Sequence, residues 1–207
     1  PLTNVVQHKY LGITLAPDLR WDTHIANVTA AALRKLFYLK RRLRIAPAPA
    51  KLLVYTMFLR PVLEYANVVW FPYTLSGISK LEAVQRKAIR FVHNKFKRTD
   101  SPTNLLASSG IEKLATRAKE ARLRFLYQLL HGHYKVDVSK YVTFSQSRPT
   151  RHKHKYSLQE YSSNSDVFGK SFFPLTIREW NKQNANATNA DTLSTFTAVL
   201  ETMRNLQ

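Results

Sequence analysis

The sequence predicts a mainly α-helical chain with a short β element at its N-terminus, and its pattern leaves room for one small hairpin near 156–173. Three observations predict this. Apolar residues recur in steps of three and four through most of the chain, the period of one helix face. The run Val5–Leu15, rich in β-branched and aromatic residues, lies at the start and has Gly12 in its middle. Serine, proline and glycine stand where the periodic stretches break. With 207 residues, 44% of them hydrophobic, the chain can bury a core in one domain or two small ones.

In chain order, Val5–Leu15 reads as a strand or hairpin arm that Gly12 bends. Pro17-Asp18 turns the chain, and Asp22 or Thr23 is positioned to cap a helix. The positions Ile25, Val28, Ala32, Leu36, Leu39 and Leu43 give that helix one apolar face, ending before Pro47 and Pro49. The stretch Ala50–Phe71 is apolar nearly all round, which predicts a mostly buried helix kinked at Pro61. Ser76 is the expected cap of a third helix, with Ile78, Leu81, Val84, Ala88 and Phe91 inward and Lys80, Arg86, Lys87 and Arg90 outward. Ser101-Pro102 is a serine cap followed by proline at the first helical position, and Gly110 closes that short turn. A fourth long helix runs from Ile111 to Leu129, carries Arg117, Lys119, Arg122 and Arg124 on its other face, and ends at Gly132.

Beyond Tyr134 the periodicity weakens. Ser145–Lys155 is basic and aperiodic, and reads as a loop or a segment that orders on binding. Short strands are expected at Tyr156–Tyr161 and Val167–Phe173, then a helix start in FFPLTIREWN, a linker at Asn184–Asn189 and a last helix through Leu193, Phe196, Leu200 and Met203. This divides the chain into a strand element over 1–20, a helical domain over 21–134, and a basic loop with a small α/β segment over 135–207.

Charge is the strongest functional signal. There are 32 Lys and Arg against 13 Asp and Glu, a formal charge of +19. A chain this basic commonly lies against polyphosphate, releasing its counterions. The bias is densest in Leu33–Arg44, where Arg34, Lys35, Lys40, Arg41, Arg42 and Arg44 stand among Leu, Phe and Tyr with no acid. Those six are the candidate phosphate contacts, together with Lys87 and Arg90 on the third helix and Arg148, Arg151, Lys153 and Lys155 in the later loop. Tyr38 could stack on bases; the alternative for Tyr38, Phe91 and Phe96 is core packing, which is favoured for Phe91.

Other chemistries find little support. Without cysteine there is no disulfide, thiolate metal site or cysteine nucleophile. The pairs His131/His133 and His152/His154 lack nearby carboxylates, so no metal site is assigned. No two aspartates are adjacent, and there is no Gly-rich phosphate loop, so no catalytic residue is assigned. Glu64 is expected to pair with Arg60 or Arg90, and Trp21, Tyr65 and Trp70 to pack in the core. No stretch suits a membrane-spanning helix. A chain beginning at Pro1 with no leader is expected to be a fragment in an intracellular setting, nucleus or cytoplasm.

Three segments carry a resemblance. HKYLGITLAPDLRWDTHI (8–25) resembles the stretch that follows the catalytic palm in reverse transcriptases of non-LTR, LINE-type retrotransposons, where a Tyr-Leu-Gly strand precedes a Leu-x-Trp-x-x-His-Ile helix start. LRPVLEYANVVWFPY (59–73) with ISKLEAVQRKAIRFV (78–92), and FFPLTIREWN (172–181), are similar to later parts of the same region, in the same order. The Leu-Pro that commonly follows Trp-Asn in the family is replaced here by NKQNANATN. The resemblance implies that 1–20 is the end of the palm, with Tyr10, Leu11 and Gly12 on a primer-grip-like strand, and that 21–134 is a helical thumb resting on template–primer duplex. Its implied partners are RNA–DNA or DNA template–primer duplex and the upstream palm of the same polyprotein. In the family the paired aspartates and their Mg2+ belong to that palm. The chain therefore resembles part of an RNA-directed DNA polymerase without its catalytic motif, and carries no cofactor of its own. The alternatives are a stand-alone helical DNA- or RNA-binding module and a basic protein-interaction scaffold.

Overall fold

The computed structural model describes residues 6–145 and 154–205. It is mainly helical, with one two-stranded antiparallel sheet at the N-terminus, as the sequence predicts. Two compact units divide the chain, Pro1–Arg117 and Ala118–Gln207. Among the described residues no helix is long and apolar enough to cross a membrane.

The first unit begins with β1 (His8–Tyr10) and β2 (Ile13–Leu15), paired His8 to Leu15, Lys9 to Thr14 and Tyr10 to Ile13. That register leaves Leu11 and Gly12 as a two-residue turn, both at positive φ (45° and 84°). A two-residue hairpin of this hand matches the twist of its strands. Glycine accepts such a φ freely, whereas Leu11 is strained by its Cβ. The helix α1 (Asp22–Arg42) follows, and Ile25, Ala32 and Leu36 bury its apolar face. Trp21 occupies its N-cap position and no side chain caps it, so neither Asp22 nor Thr23 performs the expected role; Asp22 acts only as an acid in the first turn.

The stretch expected as one buried helix is broken into α2 (Ala48–Val54), a π-helical turn (Tyr55–Leu59), α3 (Arg60–Glu64) and α4 (Asn67–Trp70). Pro61 explains the wide turn. It has no N–H for the carbonyl four residues back and its ring crowds that turn, so the chain winds wider just before it, with the Arg60 N–H bonding to the Tyr55 carbonyl. Ala66, at φ 51°, makes the second break. The burial expectation is also corrected: Leu53, Met57 and Phe58 are exposed, because only the Tyr55, Leu59 and Leu63 side faces the core.

Next, α5 (Leu75–Val92) is capped by Thr74, whose hydroxyl accepts from the Gly77 N–H at 3.2 Å, two residues earlier than the expected Ser76. Leu81, Val84, Ala88, Ile89 and Phe91 face inward. Ser101 caps α6 (Pro102–Ser108) through the Asn104 N–H, with proline first, as the sequence reads. The core of the unit joins Ile25, Leu36, Leu59, Leu63, Trp70, Leu81, Ile89, Leu106 and Leu114. Inside it the Tyr55 hydroxyl donates to Gln85 Oε1 (2.6 Å), and Gln85 Nε2 donates to the Glu112 carbonyl (2.9 Å), which satisfies each buried polar group in turn.

The helix α7 (Leu114–Leu130) continues into the second unit, and Gly132 at φ 69° follows its end, close to the expected cap. The second unit then contains a 3-10 turn (Val138–Lys140), α8 (Asp166–Gly169), α9 (Phe172–Asn181), α10 (Ala185–Thr188) and α11 (Leu193–Asn205). Trp180, Tyr127, Ile177 and Phe196 lie at its centre, with Tyr127 stacked on Phe196 at 4.7 Å. The hairpin expected near 156–173 does not form, which also removes the α/β character expected of 135–207. Val167–Phe173 is instead the end of one helix and the start of another, because Ser165 caps α8 through the Phe168 N–H. Leu158 makes a single bridge to Phe144, and the Asn181 side chain takes both its N–H (2.9 Å) and its carbonyl (2.8 Å), the places a partner strand would fill. The expected linker at Asn184–Asn189 is α10, with Asn184 as its cap and Ala187 and Thr188 buried.

Candidate nucleic-acid interface

The cations of α1 stand together because of its period. At about 100° per residue, burying Ile25, Ala32 and Leu36 turns Arg34 and Arg41 directly away from the core and places Lys35 and Arg42 on one flank, Lys40 on the other. Arg34, Lys35, Arg41, Arg42 and Arg44 are exposed. Among the described residues, no carboxylate pairs with any of these six side chains. Acids of the same unit are engaged elsewhere. Glu64 forms a bidentate pair with Arg117, not with Arg60 or Arg90 as expected. Glu82 accepts the Ala115 N–H, with burial pushing its carboxyl above the usual range, and Asp100 accepts the Lys97 N–H.

Three of the α1 cations touch neutral partners. Lys35 Nζ donates to the Phe58 carbonyl (3.3 Å). Arg42 lies over the Tyr38 ring at 5.6 Å, and Lys40 Nζ sits 5.3 Å from the Phe96 ring centre and 5.7 Å from that of Phe37. Burial first, and then the charge of Lys87, lower the Lys40 pKa.

Beside this face lies a groove of about 670 Å³. One wall is the hairpin, presenting Lys9, Gly12 and Thr14; the floor is α1, through Asn27, Ala31, Arg34 and Lys35; the other wall is Met57, Phe58, Pro61 and Tyr65. The hairpin is held in place by polar ties at both ends, among them the Asn27 amide, which donates to the Thr14 hydroxyl (3.3 Å). The Tyr65 hydroxyl donates to the Leu11 carbonyl (3.1 Å), and a Cβ at Gly12 would lie 3.4 Å from the Tyr65 ring. Tyr65 is therefore an exposed clamp on the turn, not the core residue expected, while Trp70 is buried and Trp21 half-buried. At the other end, His24 Nδ1 accepts the Thr14 N–H (3.2 Å), which makes Nδ1 unprotonated and places the ring proton on Nε2. Burial lowers the His24 pKa, consistent with a neutral ring packed edge-on against Trp70 at 4.6 Å.

The basic end of α1 is fixed from below by a lysine that sequence reasoning passed over. Lys51 is fully buried; its Nζ donates to Asn94 Oδ1 (2.9 Å) and the Arg44 carbonyl (3.2 Å) and lies 5.0 Å from the Phe91 ring centre. It ties the end of α1 to the end of α5. Nothing in the local sequence marks it, since its partners are 7 and 43 residues away.

The remaining predicted residues separate. Lys87 is exposed in the same unit. Arg90 is committed to the loop after α5, donating to the carbonyls of Lys97 (3.0 Å) and Asp100 (2.8 Å). Tyr10, Leu11 and Gly12 lie at the exposed hairpin tip, with Gly12 lining the groove. Lys155 is exposed in the second unit, over Tyr156 at 5.5 Å, and Arg148, Arg151 and Lys153 lie outside the described residues. Arg122, expected on an outer face, is buried against Glu179 at 3.1 Å. Phe91 is core, whereas Tyr38 and Phe96 are exposed. Among the described residues, no group of three or more His, Asp or Glu gathers to hold a metal.

No protein-family model matches the chain, and no curated protein or solved structure matches it.

Proposed function

We propose that this chain is the nucleic-acid-gripping, post-palm piece of a non-LTR retrotransposon reverse transcriptase. It holds template–primer duplex by the phosphate backbone. The observation that carries this reading is the basic end of the first unit's long helix, where the six cations between Arg34 and Arg44 have no carboxylate partner among the described residues and two of them, Arg34 and Lys35, line a groove. Lys and Arg on long stems neutralise phosphates without reading sequence, and a groove beside them gives a backbone somewhere to lie. The resemblance of 8–25, 59–92 and 172–181 to that family supplies the identity of the duplex and puts Tyr10, Leu11 and Gly12 beside the primer.

On this reading the chain contributes grip and alignment. Bond formation, with its Mg2+ and paired aspartates, belongs to the palm of the same polyprotein, in the nucleus or cytoplasm.

The test is fluorescence anisotropy of the chain with RNA–DNA duplex, B-form DNA and single-stranded RNA across a salt series. The expected result is salt-steep binding that favours the heteroduplex. Arg41→Ala with Arg42→Ala should then reduce the slope of log K against log salt by about 1.8, two phosphate contacts. Absence of duplex binding at low salt would overturn the reading.

A further inference from the structure

Duplex grip accounts for the cations of α1 but not for the rings among them. Phe37 and Tyr38 are each 51% exposed, and Phe96, in the loop after α5, is 59% exposed. Rings of this size are ordinarily taken into a core. Around the end of α1, at about 100° per residue, the order is Lys40, Phe37, Arg41, Tyr38, Arg42, and Phe96 extends the row beside Lys40. Ring and cation alternate. The cation–ring contacts follow the same order, with Lys40 between Phe96 and Phe37 and Arg42 against Tyr38.

A continuous duplex has no use for such rings, because its bases already stack on one another. A single strand has free base faces and a backbone charge at every step, so alternating rings and cations suit it.

We infer that the exposed end of α1, with Phe96, binds a single-stranded stretch of nucleic acid by stacking bases on Phe37, Tyr38 and Phe96 while Lys40, Arg41 and Arg42 neutralise its phosphates. This deepens the proposed grip on nucleic acid and rests on it: the preferred ligand becomes a junction, duplex in one place and unpaired strand in another.

The experiment compares three ligands of the full chain by anisotropy: a blunt RNA–DNA duplex, the same duplex with an overhang of about eight thymidines, and the same duplex with an equally long abasic overhang. The abasic strand keeps the charge and removes the bases. The thymidine overhang is expected to tighten binding about tenfold over blunt duplex, and the abasic overhang to recover little of that gain. Phe37→Ala with Phe96→Ala should abolish the difference between thymidine and abasic overhangs with the melting temperature unchanged, since both rings are exposed. Phe37→Trp should retain it. Equal binding of thymidine and abasic overhangs, or no gain over blunt duplex, would overturn the stacking site while leaving duplex grip standing. Base-dependent binding of the overhang without any binding of blunt duplex would do the reverse. Displacement of the thymidine strand by a poly-glutamate peptide as readily as by unlabelled oligothymidine would overturn it in favour of an acidic protein partner.

Discussion

The two units handle charge in opposite ways. Pro1–Arg117 has 19 Lys and Arg against 6 Asp and Glu, and Ala118–Gln207 has 13 against 7. The second unit uses its arginines as internal ties. Arg122 is buried on Glu179 (3.1 Å), and Arg204 reaches Glu120 across 84 residues of chain (3.0 Å). The first unit has such a tie in Arg117 to Glu64, but leaves Arg34, Lys35, Lys40, Arg41, Arg42 and Arg44 without carboxylates among the described residues. An arginine held by a carboxylate in a half-dry site is part of the fold, whereas a row of cations that the fold leaves unneutralised is free to meet an outside anion. This difference locates the candidate interface on α1 and not on α7, although both helices carry cations at similar spacing.

The largest effect that would sharpen the contrast is at Arg122. Replacing it with alanine strands Glu179 in a mostly buried site and should cost about 3 kcal/mol in the second unit. Hydrogen exchange read by peptide should show the loss across α9 and α11. Unchanged protection there would mean that the pair is structurally idle and that the comparison fails.

Lys51→Ala should rank next, at about 2 kcal/mol, because the Arg44 carbonyl and Asn94 Oδ1 lose their donor in a buried place. Its second consequence is specific to the first unit: the end of α1 should exchange faster, and nucleic-acid binding should weaken although Lys51 touches no ligand.

Acid should produce a smaller loss. Burial holds both His24 and His154 below the ordinary 6.5, the first unopposed and the second partly offset by its contact with the Trp180 carbonyl. The unfolded chain therefore takes up these protons first as pH falls. The stability they confer is complete above about pH 6.5 and declines below it, through the lowered folded values. His24→Asn keeps an acceptor for the Thr14 N–H without a titrating ring, so it should flatten the part of the decline that exchange assigns to the hairpin and α1. An unaltered pH profile in those peptides would remove His24 from the account.

The smallest stability effect is expected where the functional effect is greatest. Arg41→Ala and Arg42→Ala should each change the unfolding free energy by less than about 0.5 kcal/mol, as exposed residues without ion pairs do. A large loss of stability would mean that these cations belong to the fold after all.

Much of the architecture was legible in the residues because it rests on local rules. The steps from Ile25 to Leu43 specify α1, Ser101-Pro102 specifies the start of α6, and Gly132 marks the end of α7. The misreadings have a common cause. Tyr156–Tyr161 and Val167–Phe173 look like strands by composition, but a strand needs a neighbour, and the Asn181 side chain occupies the backbone groups of Leu158 instead. Pro61 was correctly read as a disturbance, but composition alone could not say which side of Ala50–Phe71 would be left exposed.

The candidate site divides along the same line. By itself the sequence determined that a cation-rich helix exists and that its charges lie together, because helical period and charge are both local properties. It could not determine that Arg122 is buried and Arg41 free, that Phe96 joins the rings of α1, or that a lysine 7 residues beyond Arg44 secures the end of the helix. Those outcomes depend on which group, tens of residues away, is brought within hydrogen-bonding distance. Only the tertiary structure decides that, since an ion pair or a stacking row is a property of two or more segments and is written in none of them separately.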